Sequence, residues 1–170
     1  MTEQPERGTV AGPGGPDAHH ASPDAGHGHV THSLVKALRS VPDFATLDER
    51  TLVQLVGASM NLAYSAGSVV FEPDSSAEEL YIVLSGEVRI LERGEGGDVE
   101  VSRVGPGESF GELSLLLGRK HTREARAVQE TELMVIPRES FQEVLDTNQE
   151  MAATFQRRLE QRRQTAAPPG

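Results

Sequence analysis

The sequence contains no cysteine, and this absence excludes two kinds of chemistry. Without thiols the chain forms no disulfide and offers no thiolate as a nucleophile or a metal ligand. The cytoplasm is reducing and keeps disulfides rare, so a cysteine-free chain is compatible with that compartment. We therefore expect a cytoplasmic protein whose fold rests on an apolar core.

The sequence also lacks any long apolar run. A membrane helix needs roughly 18 consecutive apolar residues, and the first ten residues, MTEQPERGTV, do not resemble a secretory signal. Basic residues are outnumbered by acidic ones, 16 against 26, which gives a net charge of -10. Because an acidic surface repels anionic lipid and nucleic acid, we expect neither membrane association nor direct DNA binding.

The patterns divide the chain into a tail, one folded domain and a short end. Residues 1–32 are rich in glycine and proline and almost devoid of apolar side chains, which predicts a disordered tail. One domain is predicted over 33–163, with short strands across 62–136 and two helices within 138–163. Residues 164–170 are predicted to be a second disordered segment.

Histidine is concentrated in the predicted tail. Histidine-rich tracts bind metals in some proteins, but the spacing here fits no defined tetrahedral site. We therefore interpret these side chains as solvated and predict no metal site and no cofactor. The five histidines are His19, His20, His27, His29 and His32.

Local patterns predict individual elements within the domain. Thr46 and Glu49 have the spacing of a capping box at the start of a helix. The segment around Leu80–Leu84 is apolar at successive positions, which predicts a strand buried on both faces. Several short strands separated by Gly-containing turns favour a sandwich or barrel over βαβ units.

The last predicted helix carries an apolar stripe. Asn148 is expected to cap it, and the helix is expected to run from Gln149 to Arg163. Met151, Phe155 and Leu159 repeat at every fourth position, and such a stripe must be covered. A homodimer seam, a lid over a binding pocket, another protein partner and packing on the chain's own barrel remain open.

Two longer segments resemble cyclic nucleotide-binding domains. Residues 66–90 carry a glycine turn, a strand, an acidic loop and a buried strand that ends near Ser-Gly, and residues 104–118 resemble the entry to the family's phosphate-binding cassette. The resemblance covers about residues 34–163. It implies a mainly β fold, an antiparallel jelly roll with N-terminal helices and two C-terminal helices. It also implies a regulatory domain for cAMP or cGMP, of the kind found in the catabolite activator and in protein kinase A regulatory subunits.

The resemblance assigns a ligand site to the cassette. Glu112 is expected to accept a hydrogen bond from the ribose 2′-hydroxyl, while amides at a helix start and Gly111 suit a phosphate. The alternative is that Gly111 serves only a turn and Glu112 only favours the helix start. The candidate ligand-binding residues are Gly111, Glu112, Leu113, Ser114, His121, Thr122 and Arg123.

His121 departs from the family pattern. The family has an arginine at this position, which pairs with the cyclic phosphate, and it has a small residue where Arg123 stands. A guanidinium offers a bidentate fork for phosphate, whereas histidine is mostly neutral at pH 7. Losing one charged hydrogen-bond partner costs roughly 1.5–3 kcal/mol. Arg119, Lys120 and Arg126 lie nearby, and either they compensate or they form a solvated basic loop.

Two functions therefore remain open. The chain is either a sensor that binds a cyclic nucleotide and signals through its last helix, or a degenerate fold that acts as a protein-interaction module. A transcription factor of the catabolite-activator type is not expected, since about seven residues follow Arg163, too few for a recognition helix. A metalloenzyme or hydrolase is not expected either, because the folded part has His121 as its single histidine.

Overall fold

A computed structural model describes residues 23–165; the rest of the two predicted tails, 1–22 and 166–170, lies outside the described residues. The helices are α1 (Pro23–Ser40), α2 (Glu49–Ala58), α3 (Glu112–Leu117), α4 (Arg138–Thr147) and α5 (Gln149–Thr165), with a 3₁₀ helix at Pro42–Phe44. The strands are β1 (Met60–Tyr64), β2 (Val69–Phe71), β3 (Glu79–Ser85), β4 (Val88–Gly94), β5 (Gly97–Val104), β6 (Ser109–Phe110), β7 (Glu124–Ala127) and β8 (Thr131–Pro137).

The strands form two four-stranded antiparallel sheets. One has the order β1-β8-β3-β6 and the other the order β2-β7-β4-β5. Two helices and the 3₁₀ helix precede the sheets in the chain, and α4 and α5 follow them. This confirms the predicted mainly β jelly roll with flanking helices.

Strand β3 separates two apolar cores. Leu80 and Ile82 face the helices, and Tyr81 and Val83 face the other sheet, so the strand is buried on both faces as predicted. The helix-side core is made by β3, β8 and the helices, and includes Leu38, Phe44, Leu52, Leu55, Met134, Ile136, Phe141, Met151 and Phe155. The barrel core lies between the sheets and consists of Tyr81, Val83, Val88, Val104, Phe110, Ala125, Leu133 and Val135.

Three helix starts test the local predictions. Helix α1 begins at Pro23, so the expected tail boundary at residue 32 is wrong. Adding residues to a helix that has already formed costs little free energy, and proline is favoured at the first helical position. The capping box is also wrong, because Asp48 caps α2 by accepting from the Thr51 amide at 2.8 Å. Asn148 caps α5 as predicted and accepts from the Met151 amide at 3.0 Å.

Candidate functional site

A cavity of about 610 Å³ lies beside α3. Strands β4 and β5 form one wall, and the segment from β6 through the loop after α3 forms the other. Its lining includes Phe71, Ile90, Glu92, Ser102, Arg103, Val104, Glu108, Phe110, Gly111, Glu112, Ser114, Leu117, Arg119, Lys120, His121, Thr122 and Arg123.

The structure brings the predicted site residues together. The six that line the cavity are Gly111, Glu112, Ser114, His121, Thr122 and Arg123. Leu113 lies in α3, but its side chain is outside the described part of the structure. The wall formed by β4 and β5 was missed, because contacts between segments far apart in the chain leave no local pattern.

Gly111 controls how the chain enters α3. Its φ is 84°, a left-handed conformation that L side chains rarely adopt. A Cβ at this position would lie 3.2 Å from Cδ2 of Tyr81, which is closer than normal packing. The residue is therefore required for this turn whether or not a ligand binds. Gly111 thereby places Glu112, the first residue of α3, against the cavity.

Glu112 is a buried carboxylate, only 5% exposed, on the cavity wall. It interacts electrostatically with Arg158 of α5. The pKa of Arg158 is raised first by its hydrogen bonds to Asp43 and to a smaller extent by attraction to Asp43 and Glu112. The cavity wall and the C-terminal helix are thus coupled by charge.

His121 is packed into the molecule rather than exposed to bulk solvent. It is 3% exposed, and its ring stacks on Phe71 with centroids 3.6 Å apart and planes at 9°. Burial lowers the pKa of its imidazole below the usual value of 6.5. Its backbone donates to the Ser75 carbonyl at 2.9 Å and accepts from the Asp74 amide at 2.7 Å. The burial of the side chain favours the neutral form of the imidazole.

The cavity's cations lie at its rim. Arg119 and Lys120 are exposed, and neither takes part in an ion pair among the described residues. Arg123 reaches Glu92 at 3.9 Å, which is a weak surface contact. Arg103 is bound to Glu87 at 2.8 Å and also to Glu100. Two cations are thus available to an anion at the rim.

Helix α5 packs on its own chain. Met151 and Phe155 are each 2% exposed, and Phe155 meets Phe141 edge-on at 5.3 Å. Arg158 donates to Asp43 with both terminal guanidinium nitrogens, one of them, Nη1, at 2.8 Å. No described residue of α5 lines the cavity, so the helix is not a lid in this structure. Leu159 is only partly covered, and the homodimer seam remains a prediction.

Two features are absent from the described part of the chain. In residues 23–165 no helix combines the length and the apolar character that a membrane crossing requires. Within the same range, no three His, Cys, Asp or Glu side chains are grouped as a metal ion would require.

Comparisons with known proteins agree on one family. Residues 61–148, more than half of the chain, match the model of the cyclic nucleotide-binding domain. The cyclic AMP receptor protein of Thermus thermophilus is 38% identical over 79 residues, which cover 46% of this chain and 37% of that protein. The chain spans 37% of the length of that receptor protein and 5% of the length of lysophospholipase NTE1 from Chaetomium globosum, to which it is also similar.

Two solved structures are similar in fold. The regulatory domain of Toxoplasma gondii PKA with cAMP has a TM-score of 0.65 and 29% identity, over 68% of this chain and 44% of that one. The sensor domain of the transcriptional regulator DNR from Pseudomonas aeruginosa has a TM-score of 0.74 and 20% identity, over 81% of this chain and 93% of that one.

Proposed function

Because this chain belongs to the cyclic nucleotide-binding domain family, we propose that it is a regulatory module that senses a nucleotide beside α3 and signals through α5. The cavity of about 610 Å³, with Glu112 in its wall, carries the proposal. Small-molecule pockets typically have volumes of about 300–1,000 Å³, and the volume of this cavity falls within that range. The module uses no cofactor and catalyses no reaction.

Glu112 recognises the ribose in this proposal. A carboxylate accepts hydrogen bonds from hydroxyl groups, and each charge-assisted bond contributes roughly 1.5–3 kcal/mol. The burial of Glu112 strengthens such a bond, because little water competes for the carboxylate. Ser114 on the same wall offers a hydroxyl that donates or accepts.

His121 weakens the hold on a cyclic phosphate. Its neutral, stacked ring supplies no charge at the position where the family carries an arginine. We expect wild-type protein to bind cAMP and cGMP weakly. We expect His121→Arg to tighten cAMP binding about tenfold to two-hundredfold, which corresponds to roughly 1.5–3 kcal/mol. Titration calorimetry with both cyclic nucleotides measures this change.

A matched control is available at His32. This residue is exposed on α1, and His32→Arg adds the same guanidinium away from the cavity. That variant should bind cAMP like the wild type. Submicromolar binding of cAMP by wild-type protein would refute the role given to His121. An equal gain in both variants would show that the added charge acts at long range.

The signal is proposed to pass through Arg158. This guanidinium holds α5 to Asp43 and is attracted by Glu112 on the cavity wall. A ligand that engages Glu112 changes that attraction and therefore the docking of α5. Hydrogen exchange of residues 149–161 should change when nucleotide binds to the wild type. Unchanged exchange at saturating nucleotide would remove α5 from the signalling route.

One observation favours a second function. The stack of His121 on Phe71 occupies the position of the family's phosphate partner with two packed rings. Such a packed pair of rings in place of a phosphate partner is expected in a degenerate domain that has become a protein-interaction module. That alternative predicts that neither nucleotides nor nucleosides bind to the folded wild type at millimolar concentration.

A further inference from the structure

We propose that the ligand is a linear nucleotide, a nucleoside 5′-phosphate, rather than a 3′,5′-cyclic one. This inference rests on the proposed function and specifies the ligand class of the same cavity. Three features carry it: the neutral inner wall, the cations at the rim, and the carboxylate of Glu112.

The inner wall suits an uncharged group. Phe71, Phe110 and His121 contribute rings there, and Phe110 and His121 are 4% and 3% exposed. A phosphate moved against these rings would lose hydration without gaining a cation, which is unfavourable. A planar base or a sugar carries no charge and meets no such penalty. These rings therefore disfavour a phosphate held against them.

The rim suits the phosphate. Arg119 and Lys120 stand there exposed, in a chain whose net charge is -10, and the ion pairs of the described residues leave both available. Arg123 adds a third cation, held only at 3.9 Å by Glu92. A 5′-phosphate hangs from the sugar on a rotatable bond and can extend to the rim. The phosphate of a cyclic nucleotide is fused to the sugar and is held close to it.

The carboxylate of Glu112 favours the same class. An ionised carboxylate has about four acceptor positions, so Glu112 can accept hydrogen bonds from both hydroxyls of a free ribose diol in addition to the interaction it already makes within the protein. In a 3′,5′-cyclic nucleotide the 3′-oxygen is esterified, so that only the 2′-hydroxyl can donate. Glu112 therefore gains one more charge-assisted bond from a linear nucleotide than from a cyclic one.

Calorimetry on the full chain tests this inference with six probes: AMP, GMP, adenosine, guanosine, cAMP and cGMP. We expect one of the two 5′-monophosphates to bind at least about tenfold more tightly than its nucleoside and its cyclic form. The double variant Arg119→Ala/Lys120→Ala should lose that tenfold preference and keep the affinity for the nucleoside. Added salt should reduce the preference in the wild type, because the rim is exposed.

Lys36→Ala/Arg50→Ala is the matched control. Both residues are exposed on the helical side and do not line the cavity, so the same charge is removed elsewhere. This variant should keep the preference for the 5′-monophosphate. A preference lost equally in both double variants would attribute it to net charge and overturn the rim site.

The remaining outcomes separate the inference from the proposed function. Equal affinity for a nucleoside and its 5′-monophosphate, or tighter binding of the cyclic form, overturns the inference and leaves the sensor intact. Failure of all six probes to bind the folded wild type refutes the sensor and the inference together.

Discussion

The two cores of this molecule differ in how completely they are closed. The helix-side core is entirely apolar and includes three fully buried rings, Phe44, Phe141 and Phe155. The barrel core runs into a cavity with a buried carboxylate, Glu112, and a buried imidazole, His121. Close packing contributes stability, and a gap with polar groups gives room for chemistry. We therefore expect mutations to separate the two properties.

The largest separation should come from Phe141→Ala. Phe141 is 1% exposed, and the centroid of its ring lies 6.4 Å from that of Phe44 and 5.3 Å from that of Phe155. Phe141 does not line the cavity beside α3, and we expect its removal to cost about 3–5 kcal/mol in the free energy of unfolding. Ligand affinity should not change at temperatures where the variant is folded. Urea unfolding and calorimetry measure the two effects.

Phe110→Ala is the matched substitution in the other core. Phe110 stacks on Tyr81 at 5.1 Å but also lines the cavity, so part of its surface already lacks close partners. We expect a smaller loss of stability than for Phe141→Ala and a change in ligand affinity. Equal losses of stability, with affinity unchanged in both variants, would abolish the distinction between the cores.

The sequence predicts the closed parts of the molecule better than the open one. Apolar residues at successive positions of β3 indicate burial on both faces, and the side chain of Asn148 marks the start of α5. These signals are local, since a strand or a cap is decided by residues close together in the chain. Even so, the sequence pattern predicts Thr46 as the cap of α2 whereas Asp48 caps it, because Thr and Asp are both common at that position.

The site could be predicted only in part. The residues from Gly111 to Ser114 and from His121 to Arg123 come from two short segments that carry a family pattern, and the cavity gathers them. The stack of Phe71 on His121 joins β2 to a distant loop, and its only sequence signal is an aromatic residue at the end of a strand. The position of the cations relative to the rim likewise depends on tertiary packing.

An intermediate effect is expected at the ion pair that fastens α5. In Arg158→Leu, Asp43 keeps a carboxylate that is 10% exposed but loses its bidentate partner. An unpaired, mostly buried charge is costly, and the exposure of Arg158 reduces that cost. We expect a loss of about 1–3 kcal/mol in the free energy of unfolding, together with faster hydrogen exchange in α5.

Arg157→Leu provides the comparison within the same turn. Arg157 is exposed and forms only a 3.5 Å contact with Thr154. Its replacement should change stability by less than about 0.5 kcal/mol. If both leucine variants have the same melting temperature as the wild type, the ion pair contributes nothing to the docking of α5.

The smallest of these effects is expected from a change of pH and comes from His121, which lines the cavity beside the barrel core. Burial lowers the pKa of His121 below its usual 6.5 in the folded protein. As pH falls through 6.5, the unfolded chain takes up a proton that the folded chain refuses, so stability decreases toward acid. The slope is at most about 1.4 kcal/mol per pH unit, and it disappears below the folded pKa. Above the unfolded pKa both states are neutral and there is no penalty.

His121→Phe isolates this contribution, since a phenyl ring can still stack on Phe71 but does not titrate. Between about pH 7.5 and pH 5.5, wild-type protein should lose more stability than this variant, because only the wild type has the buried imidazole. The carboxylates contribute equally to both proteins and cancel from the difference. His32→Phe, at an exposed position, should follow the wild type through the same range. Parallel curves for wild type and His121→Phe would mean that the imidazole accepts its proton in the folded protein. The inner wall of the cavity would then carry a charge below about pH 6.5, and a neutral wall that rejects phosphate would exist only above that pH.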